Sequence, residues 1–86
     1  MTTEFKIGDH IKKVFDKQYI DNQIFEIIDL KDIKGGNWHD GFSISFVATI
    51  EPIIKIHDKN NAVEEYCIQF INYMCQINYI YAIKVD

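Results

Sequence analysis

Arginine is absent from this chain, and alanine, leucine and proline are scarce. The 86 residues contain no Arg, three Ala, one Leu and one Pro, against 17 Ile. Alanine and straight-chain side chains favour helices, whereas β-branched and aromatic side chains fit the pleated surface of a sheet. The composition therefore favours a mostly β fold. The length leaves room for one domain, residues 1–86.

Positive charge is limited and is carried entirely by lysine. Nine lysines stand against 13 acidic residues, which gives a formal net charge of −4. An acidic domain is not drawn to phosphate backbones, and arginine is the side chain best suited to bidentate contacts with phosphate or guanine. Nucleic-acid binding is therefore the less favoured interpretation. The high content of Ile, Asn, Lys and Tyr indicates an AT-rich coding sequence, as in some bacteria and their viruses.

The chain also lacks long apolar runs and recognisable ligand spacings. No apolar run is long enough to span a membrane, and the N-terminal residues lack the apolar segment of a secretory signal. His10, His39 and His57 are far apart in sequence, so no metal site is predicted. Cys67 and Cys75 are expected to be free, reduced and buried, with nothing nearby to activate a thiolate. We expect a cytoplasmic protein that is not an enzyme and holds no cofactor.

The clearest pattern is the alternation from Phe42 to Ile56, FSISFVATIEPIIKI. Apolar side chains hold one parity, and Ser43, Ser45 and Thr49 hold the other. This predicts a half-buried strand whose Phe and Ile side faces the core. Pro52 cannot donate to a strand ladder, so the strand is expected to bend or lie at an edge there.

Two interpretations of the N-terminal third stay open. Asp9 followed by Ile11, Val14 and Phe15 fits a capped helix, but a strand from His10 to Phe15 is the alternative. The following segment, Gln23 to Leu30, favours a strand. Its apolar parity switches between Ile27 and Ile28, which indicates a bulge.

Lys31 to Gly41 contains three of the four glycines and the only tryptophan, so it is predicted to be a long hairpin loop. An aromatic side chain on such a loop is a common anchor of protein interfaces. The candidate partner-binding residues are therefore Asn37, Trp38, His39 and Asp40. The alternative is that Trp38 folds back and covers the end of the core.

The last third is ambiguous between helix and strand. Asn61 and Glu64 resemble a capping box, and the apolar residues of 62–75 recur at helical spacing, yet Tyr66, Ile68 and Phe70 also alternate. Asp58 to Asn61 is predicted to form a tight turn. Alternation from Ile77 to Val85 predicts a final strand.

The phrase Phe5-Lys6-Ile7-Gly8-Asp9-His10-Ile11 resembles the opening of small SH3-like β-barrels of the KOW and Tudor kind, which often begin apolar-x-apolar-Gly-Asp-x-apolar. The resemblance covers Phe5 to Ile11 only. It implies a five-stranded barrel and, as a function, a nucleic-acid-binding module. The lysines that such a module would use are Lys12, Lys13, Lys17, Lys31 and Lys34.

Together these patterns predict a mostly β or α+β domain: a small antiparallel sheet or an SH3-like barrel, with one helix at 62–75 as an option. The predicted function is a non-enzymatic, inhibitor-like or accessory protein, with a viral origin as one option, that docks on a larger protein. Homodimerisation through the terminal strand is a further expectation. The SH3-like nucleic-acid-binding module is the alternative function.

Overall fold

A computed structural model describes residues 4–16, 18–20, 22–38, 41–53, 63–73 and 76–85, with backbone only for residues 36–38, 41 and 42. Every regular element in these residues is a β-strand, and every strand pair is antiparallel. The mostly β prediction is therefore confirmed. The strands are β1 (His10–Phe15), β2 (Gln18–Tyr19), β3 (Phe25–Trp38), β4 (Gly41–Pro52), β5 (Glu64–Asn72), β6 (Ile77–Ile80) and β7 (Ala82–Val85).

The seven strands form one sheet that closes on itself. Its order is β2-β1-β3-β4-β5-β6, and β7 returns to pair with β1. Only Tyr81 separates β6 from β7, so the predicted final strand is interrupted at this residue. The first half of that strand pairs with β5 and the second half with β1. Tyr81 makes the change of partner, since its N–H donates to the Ile68 carbonyl and its carbonyl accepts from the Val14 N–H.

The longest elements, β3 and β4, form one extended hairpin. The 14 residues of β3, at about 3.3 Å each, span about 46 Å. This matches the longest dimension of the molecule, 46 Å, against 21 Å for the other two.

The predicted long loop from Lys31 to Gly41 is wrong, because β3 continues to Trp38 and Trp38 pairs with Gly41. Lysine, aspartate and glycine have low intrinsic strand propensity, which is why a loop was predicted. Strand propensity does not include the hydrogen bonds that β3 forms with β4, and these stabilise the strand. The predicted bulge is confirmed: the register shifts between Ile27 and Asp29, which leaves Ile28 as the extra residue.

The predicted helix at 62–75 is also wrong. Residues Glu64 to Asn72 form β5, which pairs with β4 over its whole length. The ladder skips Ile68, since Gln69 pairs with Phe46 and Cys67 with Val47. This bulge changes the apolar parity within the strand, and the changed parity imitates helical spacing.

The helix interpretation of the N-terminal third fails in the same way, because His10–Phe15 is the strand β1. The Gly8–Asp9 turn ties it to β3: the Gly8 N–H donates to the Ile27 carbonyl at 2.8 Å, and the Ile27 N–H donates to the Asp9 carbonyl at 2.9 Å. Gly8 has φ +96°, a conformation that favours glycine. The Asp9 carboxylate accepts from the Lys6 N–H, and this hydrogen bond lowers the pKa of Asp9.

The core lies inside the closed part of the sheet, where β1, β3, β4, β5 and β7 all contribute. Its buried members are Ile11, Phe25, Ile27, Ala48, Ile50, Ile68 and Ala82.

The alternation predicted for β4 holds for Ile44, Ala48 and Ile50, which are all buried. The prediction is wrong for Ser43, which is 5% exposed. Because β4 is a central strand, Ser43 is flanked by Gly35 on one side and Asn72 on the other. β4 ends at Pro52, whereas the predicted continuation to Ile56 and the turn at Asp58 to Asn61 lie outside the described residues.

Truncating Ile50 should test this assignment of the core. Ile50 is fully buried, so Ile50→Val should reduce the free energy of unfolding by about 1 kcal/mol and Ile50→Ala by about 2–5 kcal/mol. Ile33, 46% exposed on β3, is the matched control, and Ile33→Ala should cost less than about 1 kcal/mol. Urea denaturation measures all three. Equal losses for Ile50→Ala and Ile33→Ala would contradict the assignment.

Candidate functional site

Two of the predicted partner-binding residues, Asn37 and Trp38, lie at the tip of the β3–β4 hairpin. Asn37 and Trp38 end β3, while His39 and Asp40 fall outside the described residues. The side chains of Asn37 and Trp38 are not described either, so the alternative in which Trp38 covers the core stays a prediction. The hairpin ladder continues to Trp38 and Gly41, with a register shift after Gly35.

The tip projects beyond the rest of the sheet. The β5 ladder to β4 stops at the pair formed by Asn72 and Ser43. Beyond that pair, β4 has only β3 beside it among the described strands. The structure therefore places Asn37 and Trp38 on a two-stranded projection rather than on a loop.

A row of three aromatic rings crosses the outer face of β5 and β6. The ring centroids of Phe70 and Tyr79 are 6.4 Å apart, and those of Tyr79 and Tyr81 are 6.2 Å apart with nearly parallel planes. Tyr79 is 50% exposed. Tyr81, between β6 and β7, is partly buried.

An apolar cleft of about 500 Å³ opens beside this row, where β6 diverges from the end of β1. Sequence reasoning missed this cleft, because Phe15 was assigned to a segment of uncertain structure and β6 to a continuous strand. The available signal was the uncharged tetrapeptide Ile77-Asn78-Tyr79-Ile80. The cleft is lined by Phe15, Asp16, Asn78, Tyr79, Ile80 and Tyr81.

A second cavity, of about 460 Å³, lies on the other face of the sheet near Phe5, Leu30 and Phe46. Its buried amide, Gln69, is already engaged: Gln69 Nε2 donates to Asn78 Oδ1 at 3.1 Å. Lys31 also lines this cavity, but its ammonium lies 2.9 Å from the Glu65 carboxylate. The lining is mainly apolar but also includes the carboxylates Glu4 and Asp32.

Most of the described lysines implicated in nucleic-acid binding have partners within the protein. Lys13 forms an ion pair with Glu64, and Lys31 pairs with Glu65. The Lys12 ammonium lies 5.0 Å from the centre of the Tyr19 ring, at cation–π distance. Lys17 lies outside the described residues, and Lys34 is on the exposed part of β3. These contacts reduce the positive charge available to phosphates.

No cluster of metal-binding side chains is found in the described part of the chain. No group of three or more His, Cys, Asp or Glu side chains converges there. Cys67 is free and half-buried, with its Sγ 3.5 Å from the Gln69 carbonyl oxygen. Burial raises the pKa of the Cys67 thiol, which keeps it protonated at neutral pH. Cys75, which was also predicted to be free and buried, is outside the described residues.

The described residues contain no helix long and apolar enough to cross a membrane.

Alkylation should report the state of Cys67 directly. In a Cys75→Ser background, the native thiol should react with iodoacetamide at least about tenfold more slowly near pH 7 than the same chain unfolded in urea. Because the pKa is raised, the native rate should approach the unfolded rate only as the pH increases. Mass spectrometry of timed samples measures both rates. Native Cys67 reacting faster than the unfolded thiol would indicate an activated nucleophile and contradict this interpretation.

Comparison of this chain with models of known protein families, with characterised proteins and with solved structures finds no match in any of the three. Its function is therefore inferred from its own surfaces.

Proposed function

We propose that this chain is a cytoplasmic, non-enzymatic protein-binding module that docks on a larger protein as an accessory or inhibitor-like subunit. The tip of the β3–β4 hairpin, residues 37–40, is the docking element. The observation that carries the proposal is the length of this hairpin, whose ladder continues past the end of β5 to the pair formed by Trp38 and Gly41.

The base of the hairpin is anchored in the core. Phe25 and Ile27 on β3 and Ala48 and Ile50 on β4 belong to the buried core. Tryptophan is among the residues most enriched at binding hot spots, so Trp38 is the proposed anchor.

The acidic character of the chain supports a protein partner over a nucleic acid. The net charge is −4, and Lys13 and Lys31 are already paired with glutamates. The SH3-like nucleic-acid-binding module remains the alternative proposal. It is supported by the strand pairing, because the resemblance implies a barrel of five strands. If β6 and β7 are counted as one strand, then β1, β3, β4, β5 and β6–β7 are five strands that pair in a closed order.

Substitution of Trp38 tests the docking element. A partner captured from a lysate of the source cells by cross-linking is first identified by mass spectrometry, and its affinity for the purified chain is then measured by calorimetry. Trp38→Ala should weaken that affinity by about tenfold or more, because it removes the anchor. Ile53→Ala is the control: Ile53 is exposed and follows β4 at the opposite end of the hairpin, so its loss should leave affinity unchanged.

Two results would contradict the proposal. One is unchanged affinity for Trp38→Ala in a variant that keeps the wild-type circular dichroism spectrum. The other is tight binding of labelled RNA or DNA that falls steeply between low and high salt, with no protein captured, because such salt dependence is the mark of phosphate contacts.

A further inference from the structure

The β6 strand presents an open edge to solvent. It pairs with β5 along one side, and no described strand pairs with its other side. All four of its residues are exposed. Unpaired strand edges are templates for pairing with another chain unless charges, proline, bulges or short length protect them.

The long open edge of β3 is protected by charges and a bulge, whereas β6 is protected only by its length of four residues. Beyond Ile27, β3 pairs only with β4 among the described strands. That part of β3 has a bulge and four charged side chains, Asp29, Lys31, Asp32 and Lys34. In contrast, Ile77-Asn78-Tyr79-Ile80 contains no charge and no proline, and its ladder with β5 has no register shift.

We propose that β6 pairs edge to edge, antiparallel, with β6 of a second copy of this chain. The two strands would then join two sheets across a two-fold axis. A neutral tetrapeptide is complementary to itself, since no like charges oppose each other in any antiparallel register. The one charged residue that lines the adjacent cleft is Asp16, in the turn after β1.

The hydrogen bonds of β6 define the register of this pairing. The Tyr81 N–H donates to the Ile68 carbonyl on the β5 side. Backbone groups alternate in direction along an antiparallel strand. The backbone groups of Tyr79 therefore face β5, as the Tyr81 N–H does, and those of Asn78 and Ile80 face the open edge. In the register that uses both of these residues within the tetrapeptide, Asn78 of each copy bonds to Ile80 of the other, and Tyr79 faces Tyr79 of the second copy at the two-fold axis.

The surface available fits a weak dimer. Phe15, Ile77, Tyr79 and Ile80 are between 36% and 68% exposed. They offer about 400 Å² of side-chain area per chain, so a two-fold pair covers on the order of 800–1,000 Å², at the lower limit of specific interfaces. A monomer–dimer equilibrium with a dissociation constant in the micromolar range is the expected result.

Charge substitutions at the two-fold axis test the proposal. Sedimentation of the wild-type chain from about 1 µM to about 200 µM should show the mass rising from monomer to dimer. Tyr79→Lys and Tyr79→Glu should each weaken dimerisation by at least about tenfold, because each places two like charges opposite each other. An equimolar mixture of the two variants should restore a dimer, since lysine then faces glutamate.

The control is Tyr73→Lys, because Tyr73 is 53% exposed and Tyr79 is 50% exposed, and Tyr73 follows β5 outside the proposed interface. This variant should dimerise like the wild type. Trp38→Ala should also dimerise normally, so failure of the dimer and failure of the docking tip are distinguishable.

Three outcomes would overturn the proposal. The first is a monomeric wild type at every concentration, and the second is a Tyr79→Lys variant that dimerises like the wild type. The third is a mixture of folded Tyr79→Lys and Tyr79→Glu variants that stays monomeric. If either variant fails to fold, hydrogen exchange of the wild type tests the pairing instead. The Asn78 and Ile80 amides should exchange more slowly as the protein concentration rises. Exchange rates that do not depend on concentration would refute the pairing.

Discussion

The peptide groups of Tyr81 hold the two halves of this structure together. Its N–H donates to the Ile68 carbonyl of β5, and its carbonyl accepts from the Val14 N–H of β1, both at 2.9 Å. The Tyr66 hydroxyl donates to the same carbonyl at 3.0 Å. One residue between two short strands thus connects β5 to β1. The neighbouring Ala82 is buried in the core that this closure creates.

The closure also explains where the exposed surfaces lie. Because the chain changes its partner from β5 to β1 at Tyr81, β6 diverges from the end of β1 and leaves an apolar cleft between them. Because β5 ends at Asn72, the β3–β4 hairpin continues without it as a two-stranded projection. The proposed dimer edge and the proposed docking tip are thus products of one topology, located on different strands.

The sequence alone predicted the parts of the fold in which alternation is undisturbed. The core positions Ala48 and Ile50 follow from the pattern of β4, and the parity switch after Ile27 correctly indicated a bulge. The bulge at Ile68 was not recognised, because an extra residue within a strand shifts the apolar positions towards helical spacing. Hairpin length also escaped prediction, since Gly35 and its polar neighbours gain their strand conformation from pairing with β4 rather than from local preference.

Prediction of the candidate site was also limited by the dependence of the structure on long-range strand pairing. The tip residues could be selected because a tryptophan among glycines is conspicuous in sequence. The cleft beside Tyr79 could not be selected, because Phe15 and Ile80 are far apart in the chain and meet only when the sheet closes. Long-range closure depends on hydrogen bonds such as that from Val14 to Tyr81, for which a linear pattern carries no signal.

The most direct test of this account is an NMR measurement of the closure itself. The account predicts nuclear Overhauser contacts between Lys12 and Ile83, which are register partners of β1 and β7, together with slow hydrogen exchange of the Val14 amide. A spectrum in which the β3–β4 ladder is intact, Lys12 and Ile83 show no contact and the Val14 amide exchanges freely would contradict it.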